Sequence, residues 1–250
     1  MTMTSHTRRP SEHRFLEVLF SVAEPKVWSD LLLQRRSGDP FQYVITPNVD
    51  HVVQLSRDAE IAAAYSDAEY RICDSRILQR LAALKGIDLM PYPGADMVND
   101  LLSQPSAAAL RIAVLGPDAE DFAMLVKRFA GLRMFRVEAP MMQRGDAAWE
   151  QTLVAVEAAH FDLILLCISF PKQEHFAHDL KVRGVARGIG LCAGASLDFL
   201  SGKQLRAPKL IRRLSLEWLY RLLTNPRRLW RRYLVDGPKV FRLYLQSGRR

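Results

Sequence analysis

The sequence predicts an α/β protein, in which a parallel β-sheet covered by helices is followed by a basic, amphipathic helical appendage. Short apolar runs alternate with amphipathic segments between residues 41 and 193, and continuously apolar strands are typical of parallel sheets buried on both faces. Charge is uneven, because 206–250 holds thirteen of the 35 Lys and Arg residues and only two acids. We therefore expect a disordered N-terminus at 1–12, an α/β body at 13–205 and a basic helical appendage at 206–250.

The overall composition excludes fibrous, low-complexity and wholly disordered classes. The 250 residues are 49% hydrophobic and 25% charged, which is ordinary for globular proteins. The three widely spaced cysteines each lie in an apolar run, a pattern that predicts reduced, buried thiols in a cytosolic protein. No apolar run approaches the roughly 18 residues that span a bilayer, and the polar start does not resemble a secretory signal. We expect a protein that does not cross a membrane by itself.

Hydrophobic periodicity predicts the elements of the body in order. In its first part we predict helices over 15–33, 51–65 and 77–84, and strands over 41–46 and 70–73. In its second part we predict strands over 110–115, 134–138, 163–168 and 189–193, with helices over 119–129 and 147–159 and a third that begins near residue 171. Ligands of such sheets bind beyond the carboxyl ends of the strands. This rule selects five loops, namely 46–48, 74–76, 116–118, 169–174 and 194–198.

Polar residues in three of these loops are candidates for chemistry. Thr46 and Asn48 offer a hydroxyl and an amide after a strand, although such residues also make ordinary turns. Asp74 ends a short strand, where it either caps the next helix or acts as a general base. Lys172 and Gln173 begin a helix whose amides attract anions, so they either reach a phosphate or sugar or form a solvated cap.

No metal site is predicted from the sequence. There is no Asp-x-Asp pattern, and His175 and His178 lack the accompanying residues of a metal-binding helix. The pattern Gly188-x-Gly190-x-x-Ala193 lies within a predicted strand, which is the wrong context for a dinucleotide fingerprint.

The basic appendage has three interpretations. Its Arg and Lys residues alternate with Leu, Trp and Tyr, which is typical of helices that lie on an anionic membrane. Nucleic-acid binding would use the same charges, and the apolar face of a solvated basic helix could instead pack on the body. Pro208 and Pro226 predict at least two helices.

Motifs in order along most of the chain resemble the WecG/TagA/CpsF glycosyltransferases. The resemblance is carried by Thr46-Pro47-Asn48, Asp74, Gly94-x-Asp96, Pro171-Lys172-Gln173-Glu174, Ala207-Pro208, Leu216-Glu217-Trp218-Leu219-Tyr220-Arg221-Leu222, Asn225-Pro226-Arg227-Arg228 and Arg231-Arg232-Tyr233. It implies a Rossmann-like body and the inverting, metal-independent transfer of a sugar, of the N-acetylmannosamine or glucose type, from a UDP-sugar. The implied acceptor is a polyprenyl-pyrophosphate-linked saccharide in surface polysaccharide synthesis. The implied location is peripheral, on the inner face of the cytoplasmic membrane, with no cofactor.

The resemblance also implies roles for individual residues. Asp74 is the expected base, and Thr46 and Gln173 line the site. Because no metal would stabilise the leaving UDP, we expect arginines of the appendage to do so, first Arg221. The expected substrate-binding residues are Asn48, Gly116, Lys172, Glu174, Asp198, Arg228 and Arg231. Association of copies through the body is a further expectation.

Three departures from the family pattern leave alternatives open. Cys73-Asp74-Ser75 stands where the family has Pro-Asp-Gly, and Ser169 stands where it has Gly. Pro140-Met141-Met142 replaces Gly-Tyr-Phe in a loop that would contact the nucleotide base. The remaining alternatives are a non-catalytic family member and a nucleic-acid-binding protein, and the Trp and Leu content of the appendage favours lipid over nucleic acid.

Overall fold

A computed structural model describes residues 9–194, 196–200, 202–203, 207–208, 211 and 216–247, without the side chains of Asp198 and Arg228. Its strands are β1 (Ser11–Phe15), β2 (Val18–Val22), β3 (Gln42–Ile45), β4 (Tyr70–Arg71), β5 (Arg111–Leu115), β6 (Arg133–Val137), β7 (Leu163–Leu166) and β8 (Ile189–Cys192). β3 to β8 form a six-stranded sheet in the order β4-β3-β8-β7-β5-β6, and every pairing is parallel. The predicted α/β class is confirmed.

Helices cover both faces of this sheet. They are α1 (Pro25–Gln34), α2 (Val49–Leu55), α3 (Ala59–Asp67), α4 (Arg76–Ala83), α5 (Gly94–Leu102), α6 (Ala119–Arg128), α7 (Ala147–Ala158), α8 (Lys172–Arg183), α9 (Ser196–Leu200), α10 (Glu217–Thr224), α11 (Pro226–Trp230) and α12 (Lys239–Gln246). A 3-10 helix spans Pro105–Ala109, and a π-helix, Arg231–Asp236, follows α11.

The core is divided by the sheet into two apolar layers. Along β7, Leu163 and Leu165 pack into one layer, whereas Ile164 and Leu166 pack into the other. All four residues of β7 and of β8 are buried. This two-sided burial explains why these strands are apolar along their whole length.

The helix predicted over 15–33 is wrong for its first half. Residues 11–22 form the antiparallel hairpin β1–β2, and only 25–34 are helical. The hairpin turns at Leu16 and Glu17, whose φ angles of 50° and 63° are the left-handed values that a type I′ turn requires. Such turns usually contain Asn-Gly, so Leu-Glu gave no turn signal. Ser11 and Glu12 lie in β1, so disorder up to residue 12 is also wrong there, and residues 1–8 lie outside the described chain.

The single helix predicted over 51–65 is two helices. α2 ends at Leu55, and Asp58 begins α3 by accepting hydrogen bonds from the backbone N–H groups of Glu60 and Ile61. The apolar residues of both helices follow one helical spacing, so hydrophobic periodicity does not predict the break at the polar residues 56–58.

The described residues of the appendage are 207–208, 211 and 216–247, and a new helix begins at Pro226, as predicted. Its last helix, α12, contacts the body through Val240, which is buried beside Phe15 and Leu81. Lys85 of the body donates hydrogen bonds to the carbonyl of Tyr244 (3.0 Å) and to Oγ of Ser247 (2.6 Å). Within the described ranges, no helix has both the length and the apolar character needed to cross a bilayer.

Candidate active site

The carboxyl ends of β3 and β8 meet the first residue of α5. Thr46, directly after β3, is buried. A Cβ atom on Gly94 would lie 3.3 Å from Oγ1 of Thr46 and 3.3 Å from Oγ of Ser196, at the start of α9. Glycine at 94 therefore lets two hydroxyl groups, one after β3 and one at the start of α9, pack closely against the first residue of α5.

Asp74 lies beside this point. Its backbone N–H donates to the carbonyl of Pro47 (2.9 Å), and its carboxylate accepts a hydrogen bond from the backbone N–H of Gly94. Ser75 caps α4, because its Oγ accepts from the N–H of Leu78 at 3.2 Å. Ser75 and not Asp74 therefore caps α4, and the carboxylate of Asp74 lies beside the first residue of α5, beyond the carboxyl end of β4.

The electrostatic surroundings of Asp74 suit a proton acceptor. Burial raises its pKa to about 7, although Arg221 and Arg232 lower the pKa and Glu217 raises it further. A carboxyl group with a pKa near 7 exists in both protonation states at neutral pH, which is the condition for efficient general base catalysis.

Gln173 is buried at the start of α8 and links it to the end of β8. Its Oε1 accepts a hydrogen bond from the N–H of Gly194 (2.9 Å), and its Nε2 donates to Oε1 of Glu174 (2.9 Å). Glu174 is fully buried, and burial raises its pKa to about 7. The carboxylate of Glu174, expected to bind substrate, thus has Gln173 as its observed partner.

Two further expected residues have defined structural contacts. Nζ of Lys172 donates to the carbonyl of Met142 (2.7 Å), which connects α8 to the loop that departs from the family pattern. In that loop Met142 is buried, whereas Met141 is 98% exposed. Gly116 has a φ of +117°, and a Cβ there would lie 2.6 Å from the carbonyl oxygen of Cys167. Gly116 therefore permits close packing of β5 and β7 at their carboxyl ends.

The appendage contributes two arginines to this region. Arg221 pairs with Oε1 of Glu217 (2.8 Å), lies 4.8 Å from the ring centroid of Phe199, and lowers the pKa of Asp74. Nε of Arg232 lies 3.2 Å from Oδ2 of Asp50, and its NH2 group donates to Oδ1 of Asn48 (3.4 Å).

Arg232 was not among the residues selected from the sequence. Its neighbour Arg231 was selected, but Arg231 is exposed. The two arginines are adjacent in a π-helix, so α-helical periodicity gives no signal for which of them faces the body. Asn48, which was selected, caps α2 through the N–H groups of Asp50 and His51.

His51 and Phe170 were also missed. Their rings stack with centroids 4.0 Å apart and an interplanar angle of 12°. Nδ1 of His51 is 2.8 Å from the hydroxyl of Tyr65. Burial, with a smaller contribution from Arg232, lowers the pKa of His51 well below its usual range, so the ring is neutral at pH 7. His51 had been assigned only to a helix, because an isolated histidine has no diagnostic spacing.

The side chains of Asp198 and Arg228 lie outside the described part of the structure, and so do the substrate contacts expected of them. Among the residues that are described, no three His, Cys, Asp or Glu side chains converge as metal ligands. Ser169 has a φ of +65°, so a residue with a side chain occupies a backbone conformation that favours the glycine of the family pattern.

The chain is similar in sequence to known proteins over most of its length. Residues 14–250 match the glycosyl transferase WecG/TagA/CpsF family. An N-acetylglucosaminyldiphosphoundecaprenol N-acetyl-beta-D-mannosaminyltransferase of Bacillus spizizenii strain W23 is 28% identical over 217 residues, 83% of this chain and 80% of that protein. A protein of the same name from Bacillus subtilis strain 168 is 38% identical over 170 residues, 66% of this chain and 59% of that protein. The chain therefore belongs to the WecG/TagA/CpsF family of glycosyl transferases.

Proposed function

We propose that this protein transfers a sugar from a UDP-sugar to a saccharide linked to a lipid diphosphate, with inversion at the anomeric carbon and without a metal ion. The observation that carries the proposal is Asp74, a carboxylate at the open end of the sheet with a pKa raised to about 7 and two arginines nearby. The names of the two Bacillus relatives favour N-acetylmannosamine over glucose as the sugar, and a diphosphoundecaprenol-linked N-acetylglucosamine as the acceptor.

The proposed step needs one base. Asp74 removes the proton from the acceptor hydroxyl while its oxygen attacks the anomeric carbon of the donor. The bond between that carbon and the β-phosphate oxygen breaks, and UDP leaves with the electron pair. A single displacement inverts the anomeric configuration, and Asp74 holds the proton until it is released to solvent.

Negative charge develops on the β-phosphate as UDP leaves, and arginine is suited to stabilise it. A guanidinium is always charged and donates two parallel hydrogen bonds to phosphate. We assign this role to Arg221 and Arg232, because both lower the pKa of Asp74 and because Arg232 contacts Asn48, two residues after Thr46. Arg231, which is exposed, and Arg228 are proposed to contact the lipid-linked pyrophosphate.

Other residues of the site are proposed to hold the donor. Thr46 and Gln173 bind the sugar and the diphosphate from the ends of β3 and α8. Asp198 binds the ribose, and the loop attached to Lys172 contacts the uracil. Gly116 and Asn48 shape the floor of the site through backbone packing and capping.

The appendage is proposed to bind the inner face of the cytoplasmic membrane. Helices that combine exposed apolar and basic side chains lie in the headgroup region of anionic bilayers. Among the described residues of the appendage, the large apolar side chains that are exposed are Leu216, Leu223, Trp230, Leu234, Val235, Phe241 and Leu245. Such binding brings Arg221 and Arg232 to the acceptor, which is itself anchored in the membrane.

The test is calorimetric titration with UDP in EDTA and anionic lipid nanodiscs, followed by assays with UDP-N-acetylmannosamine and UDP-glucose on the lipid-linked acceptor. We expect metal-independent binding and faster transfer from UDP-N-acetylmannosamine. Asp74→Asn is expected to keep UDP binding and lose turnover. A folded wild-type protein that never binds UDP would overturn the proposal, and binding without turnover of any donor would favour a non-catalytic family member.

A further inference from the structure

Glu174 is a buried carboxyl group that the proposed reaction does not use directly. Its side chain is fully buried, with Oε1 accepting from Nε2 of Gln173 at 2.9 Å. Its Oε2 is also buried and has no hydrogen-bond partner within the part of the chain that the structure describes. A buried polar atom without a partner is unfavourable, so a carboxyl group at this position calls for a specific explanation.

The hydrogen bonds of Gln173 suggest that explanation. A glutamine amide can turn over, which exchanges its oxygen and its nitrogen with little change in shape. The N–H of Gly194 requires the oxygen of Gln173 on one side. On the other side, Oε1 of Glu174 is an acceptor, so it requires the amide nitrogen of Gln173 as its donor. The two contacts together select one orientation, and no other described residue accepts a hydrogen bond from the second N–H of Nε2.

The groups around Glu174 do not offer an alternative role for it. The charge of Glu174 raises the pKa of three titratable groups, which are Tyr43 on β3, Tyr65 on α3 and Cys192 at the end of β8. All three are neutral acids at pH 7, and burial is the largest cause that raises the pKa of each. No cation acts on the pKa of Glu174 among the described residues, so it is not half of a buried ion pair.

We propose that Glu174 is a positioning residue that fixes the amide of Gln173, so that one N–H of Gln173 stays directed to an oxygen of the bound donor. This inference rests on the proposed function, and it replaces direct substrate binding by Glu174 with an action through Gln173. Glu174→Gln is the matched substitution, because glutamine has nearly the same shape but can pair with Gln173 in either orientation. The N–H of Gly194 then remains as the one contact that selects the orientation, so the selection is weakened while the volume of the core is kept.

The test is a double-mutant cycle with Glu174→Gln, Gln173→Ala and the double variant, measuring kcat and KM for the donor and the affinity for UDP. We expect Glu174→Gln to lower kcat/KM about tenfold, the effect of one lost oriented hydrogen bond. In the Gln173→Ala background the same substitution should have no further effect. An equal effect in both backgrounds, or no effect in either, would overturn the proposal.

A second measurement does not depend on activity. The side-chain amide resonances of Gln173, assigned by their loss in Gln173→Ala, should be a single pair in the wild type and doubled or broadened in Glu174→Gln. Unchanged resonances in a folded Glu174→Gln protein would contradict the proposal. Inactivity of the wild type would instead count against the proposed function, and the amide resonances would still report whether Glu174 orients Gln173.

Discussion

Arg232 of the appendage joins the first turn of α2, with its Nε 3.2 Å from Oδ2 of Asp50. The same guanidinium donates to Oδ1 of Asn48, which caps that helix. Asn48 follows Thr46 by two residues, so this contact attaches the π-helical segment to the edge of the candidate site. The Asp50 side chain is 14% exposed and that of Arg232 35%, so the pair is partly shielded from water.

Asp50→Asn is expected to loosen the appendage. The substitution removes the charge of the pair but leaves all trypsin sites intact. Since such a pair contributes about 1 kcal/mol, the detached population should rise about fivefold. The rate of tryptic cleavage within the appendage, followed by mass spectrometry without lipid, measures this change.

Arg57→Gln is the matched control for the Asp50 variant. Arg57 also reaches the appendage, but it lies 4.0 Å from Asp236 and its side chain is 52% exposed. A more exposed and longer contact contributes less, so cleavage of the appendage should stay near the wild-type rate. Equal cleavage of the Asp50 variant and the wild type would show that the Arg232 contact does not hold the appendage.

The rate of transfer should fall at acid pH because Asp74 must be ionised to act as a base. Burial raises its pKa to about 7, so kcat/KM should rise through pH 7 and fall about tenfold per pH unit below 6. Arg232→Gln removes a charge that lowers this pKa, so the acid limb should move to higher pH. Stopped assays between pH 5 and 9 measure both profiles.

Glu174→Gln serves as the control for this assignment, because burial raises the pKa of Glu174 to about 7 as well. If Asp74 is the titrating base, the acid limb remains in the Glu174 variant. If the fall of kcat/KM at acid pH disappears in that variant, the titrating group is Glu174. The pH profile then no longer supports Asp74 as the base.

The sheet and its strand ends were predictable from the sequence, whereas local turns and the appendage contacts were not. β7 and β8 are continuously apolar, and so is β5 after the exposed Arg111, because both faces of these strands are covered, and that pattern is visible directly. Polar residues lie in the loops that follow the strands. Because the strands are parallel, these loops lie at the same edge of the sheet. Asp74 and Gln173 were therefore accessible to sequence reasoning.

The misses share a physical cause, which is that long-range packing overrides a local signal. The turn at Leu16-Glu17 adopts left-handed φ values without glycine or asparagine. α5 begins after Pro93, which offers no side-chain cap, so its start carried no sequence signature. The choice between Arg231 and Arg232 depends on the phase of a π-helix, which follows no 3.6-residue rhythm.

Gly94→Ala should damage the site without unfolding the protein. The new Cβ would lie 3.3 Å from the hydroxyl oxygens of Thr46 and Ser196, so both must shift by a few tenths of an ångström. Small displacements of positioning groups reduce turnover, and we expect a loss of about tenfold in kcat. The melting temperature should change little, since alanine is the better helix former at the start of α5.

Gly38→Ala is the control for Gly94, because a Cβ at residue 38 meets nothing within 4 Å. Its kcat should equal that of the wild type. A Gly94→Ala enzyme with full activity would show that the close packing of Thr46 and Ser196 against residue 94 is not needed for turnover.

Gly116→Ala should destabilise the fold more than Gly131→Ala. Both glycines have positive φ angles, +117° and +95°, so alanine at either position is strained by roughly 1–2 kcal/mol. At Gly116 the added Cβ would also lie 2.6 Å from the carbonyl of Cys167, whereas at Gly131 it meets nothing within 4 Å. We expect a further loss of about 1–3 kcal/mol for Gly116→Ala. Urea unfolding measures both, and equal losses would mean that β5 and β7 can separate at little cost.

Membrane binding should depend on the outer face of α12. Phe241 and Leu245 are four residues apart, so they share one face, and they are 53% and 71% exposed. Val240, on the other side, is buried against the body. Replacing both Phe241 and Leu245 by serine should weaken co-sedimentation with anionic vesicles at least about tenfold, since burial of each side chain contributes about 1.5–3 kcal/mol when complete.

Val185→Ser provides the comparison for this surface, because Val185 is 58% exposed but lies on the body between α8 and β8. It should sediment with vesicles as the wild type does. If the α12 variant also binds vesicles normally at physiological salt, the outer face of α12 is not needed for the attachment. Binding of that variant should fall steeply with ionic strength if basic residues account for it, whereas its retention in high salt would assign the attachment to the other exposed apolar side chains of the appendage.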